Sequence, residues 1–266
     1  MIAYTVYGHG ALKAIALHGL FADGTCFEEM LNALDPDLWS VVSPDIRGYG
    51  KSVKISGPYD MTTIAADALE IADHLRWDHF AAIGHSMSGK AVLHLAACAP
   101  TRISRIVGVA PVWAGLLPLT QEQLATWTSS VVEVEIRKKL ISATVGERLT
   151  EFWCRQTAEQ SFLISRPEAY AGYLRSFASD DFEAEATQID QEVLVIAGAA
   201  DAVTTKRAKE MWQNKLHRCE LTILPDCGHW PIKEEPLRTA SLVHAFLSKP
   251  QTHDAATLNR QPRGNS

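Results

Sequence analysis

The sequence predicts an α/β protein with a mostly parallel central sheet, helices on both faces of the sheet and an inserted helical cap. Two observations lead to this fold class. Short apolar runs alternate with amphipathic helical stretches near both ends of the chain, which is typical of a parallel sheet that helices cover. Between these regions, residues 112–189 contain helical patterns and dense aromatic residues but no strand-like runs.

The size and composition fit a globular domain that buries a large core. The chain has 266 residues, of which 47% are hydrophobic and 21% charged. Its net charge of −6 gives no reason to expect nucleic acid as a partner, and no apolar stretch approaches the roughly 18 residues of a membrane span. Five cysteines without C-x-x-C spacing and a start without a signal-peptide pattern lead us to expect a cytoplasmic protein with free thiols.

The elements of residues 1–111 can be assigned in order. Apolar runs predict strands at residues 2–7, 14–17, 39–43, 80–84 and 103–111. Helical spacing of apolar residues predicts helices at residues 25–34, 61–75 and 88–98, and Asp60 is placed to cap the second of them.

The pattern changes at residue 112 and returns at residue 190. Residues 112–189, which we call the cap segment, show capping-box spacing at Thr120 and Gln123 and again at Ser165 and Glu168. Strands at 193–197 and 220–224 and helices at 204–216 and 235–248 then follow. We therefore expect a core of residues 1–111 and 190–249, a cap of residues 112–189, and a polar, disordered tail of residues 250–266.

The polar residues that stand out all follow predicted strands. These are the His18-Gly19-Leu20 stretch, Asp45, Ser86, Asp201 and His229. Sites in open parallel sheets form at the carboxyl ends of the strands, so we expect these residues to meet at one edge.

Ser86 lies at the apex of a predicted strand–turn–helix, in the run Gly84-His85-Ser86-Met87-Ser88-Gly89-Lys90. The small residues around it permit a sharp, strained turn that exposes the hydroxyl. A serine hydroxyl needs a base, and His229 on a loop framed by Gly228 and Pro231 is the best candidate. Asp201 would orient that histidine. We prefer it to Asp226, which we interpret as a solvated turn residue.

The order Ser86, Asp201, His229 is that of the α/β-hydrolase triad. The backbone N–H of Met87 would supply one oxyanion donor. The N–H of Leu20 would supply the other, with that of Phe21 as the neighbouring alternative.

Over residues 2–248 the sequence resembles the α/β-hydrolase superfamily. The resemblance rests on His18-Gly19, the stretch from Asp45 to Ser52, the Ser86 elbow, the Gly198–Asp201 turn and Gly228-His229. The elbow is similar to those of small intracellular esterases, cofactor-free haloperoxidase-like proteins and C–C hydrolases. Ser88 replaces the usual glycine, which we interpret as a packing substitution. The resemblance excludes haloalkane dehalogenases and epoxide hydrolases, which carry aspartate where this chain has Ser86.

The leading hypothesis is a serine hydrolase without metal or cofactor, acting through an acyl-enzyme on a small or medium apolar ester, thioester or lactone. Two alternatives stay open: C–C cleavage of a diketone-type substrate, and a slow-turnover ligand receptor or signalling protein. Histidine spacing shows no metal motif. We expect aromatic residues to line the substrate pocket, namely Phe21, Trp113, Trp127, Trp153 and Trp230. The oligomeric state is not predicted.

Overall fold

The computed structural model describes residues 1–250. The predicted tail, residues 250–266, lies outside the described residues apart from Pro250.

Seven strands form one sheet in the order β1-β3-β2-β4-β5-β6-β7. β1 pairs antiparallel with β3, and every other neighbouring pair is parallel. The strands are β1 Tyr4–Gly8, β2 Leu12–Leu17, β3 Trp39–Pro44, β4 Phe80–His85, β5 Ile103–Val109, β6 Glu192–Gly198 and β7 Cys219–Leu224. The predicted α/β class with a mostly parallel sheet is therefore confirmed.

Burial along the strands shows how the sheet is covered. All residues of β3 and β4 are buried, so both faces of these strands are shielded from solvent. The edge strands β1 and β7 are only partly buried, because each has a neighbour on one side only.

The helices are α1 Glu28–Leu31, α2 Met61–His74, α3 Ser88–Cys98, α4 Gln121–Ser129, α5 Val134–Thr144, α6 Glu151–Ile164, α7 Pro167–Ser179, α8 Glu183–Ala186, α9 Thr205–Arg207, α10 Pro231–Glu234 and α11 Pro236–Leu247. Short 3₁₀ turns occupy Gly24–Phe27 and Gly50–Ser52, and a π-helical stretch occupies Ala208–Gln213. Within the core, α2 packs on α3 and α1 packs on α11.

Local signals explain several boundaries. Asp60 accepts a hydrogen bond from the Thr63 N–H and caps α2, and Thr120 and Gln123 form the expected capping box of α4. Two helices differ from the prediction. Residues 25–34 split into a 3₁₀ turn and α1, and residues 204–216 include the π-helical stretch. The second capping box does not form, because Arg166 is the N-cap of α7 and makes no side-chain cap.

Helices α4 to α8 account for the regular structure of the cap segment. Its interior is organised by Arg137, whose guanidinium donates to the Ser130 and Val131 carbonyls and to the Ser161 hydroxyl. The same group lies 3.9 Å from the Tyr170 ring centre. One buried cation thus ties several cap helices together through neutral acceptors and aromatic faces.

Candidate active site

Ser86 follows β4 directly and has a positive φ of 57°. This left-handed conformation costs a non-glycine residue about 1–2 kcal/mol, so neighbouring contacts must hold it. The Ser86 N–H donates to the Val109 carbonyl at 3.0 Å, and its carbonyl accepts from Gly89 at 2.9 Å and Val112 at 2.8 Å. Gly84 is required because a Cβ there would lie 2.4 Å from the Ser88 carbonyl oxygen.

Ser86, His229 and Asp201 form a continuous chain of hydrogen bonds. Ser86 Oγ lies 2.8 Å from His229 Nε2, and His229 Nδ1 lies 2.6 Å from Asp201 Oδ2. The ionised carboxylate can only accept, so Nδ1 carries the ring proton and Nε2 is free to accept the serine proton. The loops after β4, β6 and β7 thus bring the three residues together at one edge of the sheet.

The Asp201 carboxylate is almost fully buried, and four donors surround it. Oδ1 accepts from the Val203 N–H at 2.8 Å and the Thr204 N–H at 3.2 Å, and Oδ2 accepts from His229 and the Thr204 hydroxyl. Burial alone would raise the pKa of Asp201, but the charge of His229 and these hydrogen bonds lower it overall. The carboxylate therefore stays ionised and can stabilise a protonated His229.

The loop that carries His229 is fixed from two sides. The N–H groups of Gly228 and Trp230 donate to the Glu234 carboxylate at 2.9 and 3.0 Å. The His229 N–H donates to the Thr144 carbonyl of α5 at 3.1 Å. The cap segment therefore helps to position the histidine.

Two backbone donors belong to residues that line the cavity around Ser86. The N–H groups of Leu20 and Met87 have no acceptor among residues 1–250, and both residues line the cavity that holds Ser86. Met87 is the N-cap of α3, where N–H groups have no partner within the helix. The pair can therefore bind a developing oxyanion.

His18 positions the Leu20 donor. Its Nε2 accepts from the Ile46 N–H at 3.1 Å, so Nδ1 carries the proton and donates to the Gly19 carbonyl at 2.9 Å. In a trans peptide the C=O and N–H point in opposite directions, so holding the Gly19 oxygen aims the Leu20 N–H. Burial lowers the pKa of His18 and keeps this ring neutral.

His85 lies beside His229 but does not line the cavity. Its Nε2 donates to the His229 carbonyl at 2.9 Å, and its Nδ1 has no partner among the described residues. Burial, followed by the repulsion of His229, lowers the pKa of His85 to about 3. His85 thus adds no positive charge next to a protonated His229.

Three hydrogen bonds that the sequence does not reveal tie the elbow to its surroundings. The Ser88 hydroxyl donates to the His18 carbonyl at 2.5 Å, linking the start of α3 to the end of β2. The buried Lys90 ammonium donates to the Gly115 carbonyl at 2.8 Å and the Asp180 carbonyl at 2.6 Å. Desolvation lowers the pKa of Lys90 to about 8.

A cavity of about 260 Å³ opens onto the Ser86 hydroxyl. Of the aromatic residues expected there, Phe21, Trp113 and Trp127 line it, and Phe21 stacks on Trp127 at 5.9 Å between ring centres. The Trp113 indole N–H donates to Glu183 at 2.7 Å, which fixes this wall. The remaining lining residues are mostly apolar, but they include Gln123, Thr144, Thr204 and Arg207.

Trp153 and Trp230 do not line this cavity, contrary to the expectation from the sequence. They line a second cavity of about 410 Å³, together with Phe21, and their rings meet edge to face at 5.9 Å. The sequence places both residues near the site but does not show which way their helix and loop turn them.

The other candidate groups lie elsewhere or are engaged. Asp226 is exposed, as expected for a turn residue. The Cys227 thiol is buried, and burial raises its pKa strongly. Within residues 1–250, no group of three or more histidine, cysteine or acidic side chains could hold a metal ion, and no helix is long and apolar enough to cross a membrane.

Comparisons with known proteins identify the family. The model of the alpha/beta hydrolase family matches residues 14–242. The chain is 26% identical to 2-hydroxymuconate semialdehyde hydrolase of Pseudomonas sp. strain CF600, over 82% of this chain and 79% of the relative. It is 24% identical to 3-oxoadipate enol-lactonase 2 of Acinetobacter baylyi, over 92% of each chain.

Among solved structures, an esterase from Exiguobacterium antarcticum superimposes with a TM-score of 0.84 at 17% identity, over 93% of this chain and 96% of the other. At this identity the likeness concerns the fold. The family model covers most of the chain, and its named relatives are hydrolases. The chain therefore belongs to the alpha/beta hydrolase family and is a hydrolase.

Proposed function

We propose that this protein is a serine hydrolase that cleaves a carboxylic ester, thioester or lactone through an acyl-enzyme. The observation that carries the proposal is the hydrogen-bonded chain from Asp201 through His229 to Ser86, which ends at a cavity lined by two residues whose N–H groups have no acceptor within residues 1–250. A nucleophile, a base, an orienting carboxylate and oxyanion donors are the parts that acyl transfer needs.

In the first half of the reaction, Ser86 Oγ attacks the acyl carbon while His229 Nε2 takes the hydroxyl proton. The carbonyl oxygen becomes an oxyanion that the Leu20 and Met87 N–H groups stabilise. His229 then gives its proton to the leaving oxygen or sulfur, and the bond to the leaving group breaks. Asp201 stabilises the imidazolium during this exchange.

In the second half, His229 takes a proton from a water molecule as that water attacks the acyl carbon. The bond to Ser86 Oγ breaks, His229 returns the proton to the serine, and the acid leaves. Both halves use the same two oxyanion donors, because each passes through a tetrahedral intermediate at the same carbon.

The cavity supports a small or medium substrate with an apolar body. Its volume of about 260 Å³ and walls such as Phe21, Trp113 and Trp127 suit such a molecule. An enol-lactonase among the relatives also supports cleavage of an acyl–oxygen bond.

The test is active-site labelling with a fluorophosphonate, combined with burst kinetics on p-nitrophenyl butyrate. We expect one equivalent of p-nitrophenol in the burst and one phosphonate on Ser86, located by mass spectrometry of peptides. Ser86→Ala should abolish both and lower kcat by about 10⁴-fold or more. Ser88→Ala, the matched change at the other elbow serine, should still be labelled. Labelling that persists in Ser86→Ala would refute the assignment of the nucleophile.

A further inference from the structure

One charged side chain in the Ser86 cavity has no role in the proposed chemistry. Arg207 ends α9, just after the Asp201 loop, and lines the cavity together with Ser86 and His229. No lysine, aspartate or glutamate lines this cavity within residues 1–250, so Arg207 supplies its only permanent charge. An arginine side chain keeps its charge at any pH a protein tolerates.

Arg207 is partly buried, and its guanidinium has no partner among residues 1–250. Among residues 1–250 it makes no ion pair, no side-chain hydrogen bond and no contact with an aromatic ring. The chain pairs other partly shielded arginines: Arg105 binds Glu192 at 2.7 Å, and Arg47 binds Asp67 at 2.7 Å. A cation left unpaired beside apolar walls favours an anion there, because the walls weaken the competition from water.

The other polar side chains of the cavity wall differ in whether their donor groups already make hydrogen bonds within the protein. The Thr144 and Thr204 hydroxyls already donate within the protein. The Gln123 Oε1 accepts from the Thr120 N–H at 3.0 Å, which leaves its amide NH₂ as a further donor. Besides the Leu20 and Met87 N–H groups, the cavity thus offers, within residues 1–250, two uncommitted side-chain donors, Gln123 and Arg207.

We propose that Arg207 is a specificity-determining residue that binds a carboxylate on the substrate. The substrate would then be an ester or lactone with an apolar body and a free carboxylate away from the scissile bond. The planar fork of a guanidinium matches a carboxylate with two parallel hydrogen bonds, which lysine cannot reproduce. This inference rests on the proposed function, because it assigns the substrate class of the same site.

Two pairs of esters test it, each matched in length and differing only in the terminal carboxylate. Monomethyl adipate and methyl hexanoate place the charge on the acyl side. 4-Acetoxybutanoate and butyl acetate place it on the alcohol side. We expect the wild-type protein to prefer the charged member of at least one pair in kcat/KM. Arg207→Gln should reduce that preference about tenfold or more, with the neutral ester nearly unaffected.

Two variants separate recognition from general effects. Lys206→Gln removes an equal charge from the same short helix, but the Lys206 side chain is 83% exposed and does not line the cavity, so the preference should persist. Arg207→Lys should retain part of the preference for the charged ester that Arg207→Gln loses. Any one of three results would overturn the proposal: the preference survives in Arg207→Gln, the wild-type protein shows it for neither pair, or Arg207→Gln loses equal activity on charged and neutral esters.

A binding measurement keeps this test separate from the catalytic one. In the Ser86→Ala background, titration with each ester can be followed by tryptophan fluorescence, since Trp113 and Trp127 line the cavity. The subsite is supported if the charged ester binds more tightly than the neutral one and if this difference disappears when Arg207→Gln is added. This result would support it even if no ester is hydrolysed. Equal binding of charged and neutral esters refutes it even if hydrolysis is fast.

Discussion

Replacing Asp201 by asparagine tests how the carboxylate controls the base. The Asp201 oxygens have distinct partners: Oδ1 accepts two backbone N–H groups, and Oδ2 accepts the His229 ring and the Thr204 hydroxyl. In Asp201→Asn the single amide oxygen would stay with the two N–H groups, because an amide nitrogen cannot accept from them. The amide NH₂ would then face His229 Nδ1.

This arrangement reverses the tautomer of His229. With a donor in front of Nδ1, the ring proton moves to Nε2, which can no longer accept the Ser86 proton. The variant also loses the charge-assisted bond that stabilises the imidazolium, worth about 1.5–3 kcal/mol. Together with the cost of the wrong tautomer, we expect the activation free energy to rise by about 4–5 kcal/mol. This rise corresponds to a kcat lowered about 10³- to 10⁴-fold.

The assay is steady-state hydrolysis of p-nitrophenyl butyrate near neutral pH, with melting curves to confirm folding. Asp226→Asn is the matched control, since Asp226 is an exposed aspartate near the same histidine in sequence, and its activity should stay within about twofold. If Asp201→Asn kept more than a tenth of the wild-type kcat, Asp201 would not be the residue that orients the base.

The remaining predictions concern the hydrogen bonds of Ser88 and Lys90. Ser88→Ala removes the bond to the His18 carbonyl and should lower the free energy of unfolding by about 1 kcal/mol, seen as a Tm about 2–4 °C lower by calorimetry; an unchanged Tm would contradict this. The pKa of Lys90, about 8 in the folded protein, lies below its unfolded value of about 10.5, so between these pH values the unfolded chain binds more protons and stability rises with pH. The free energies of unfolding of the wild type and of Lys90→Met can be measured with urea at pH 7.5 and pH 9.5. From the lower to the higher pH, the wild type should gain roughly 1–2 kcal/mol of stability relative to the variant. A difference independent of pH would count against this account.

The sheet and the triad candidates were accessible from the sequence because their signals are local. Each strand is a short apolar run, and Ser86, Asp201 and His229 each follow one of them. Parallel strands place such ends at one edge, so the pattern along the chain predicts proximity in space. The structure brings these three side chains together, as expected.

The contacts that the sequence did not reveal join distant parts of the chain. Ser88 looked like a packing substitution, yet its hydroxyl bonds a carbonyl 70 residues away. Trp153 and Trp230 looked like pocket residues, but the direction in which a helix or loop presents a ring depends on tertiary packing. Arg207 belongs to no sequence motif, and it stands out only because it lines the cavity without a partner among the described residues.

The position of Lys90 limits how the cap segment can be exchanged between family members. Its ammonium holds one carbonyl near the beginning of that segment and one near its end, so both junctions meet at a single buried charge. A chimera whose breakpoint lies before Gly115 or after Asp180 would replace that residue with foreign sequence, and the charge would lose an acceptor unless the new cap supplied a carbonyl at the same place. Recombination of caps in this protein is therefore compatible only with breakpoints that keep both residues on the side of the core, or with replacement of the lysine at the same time.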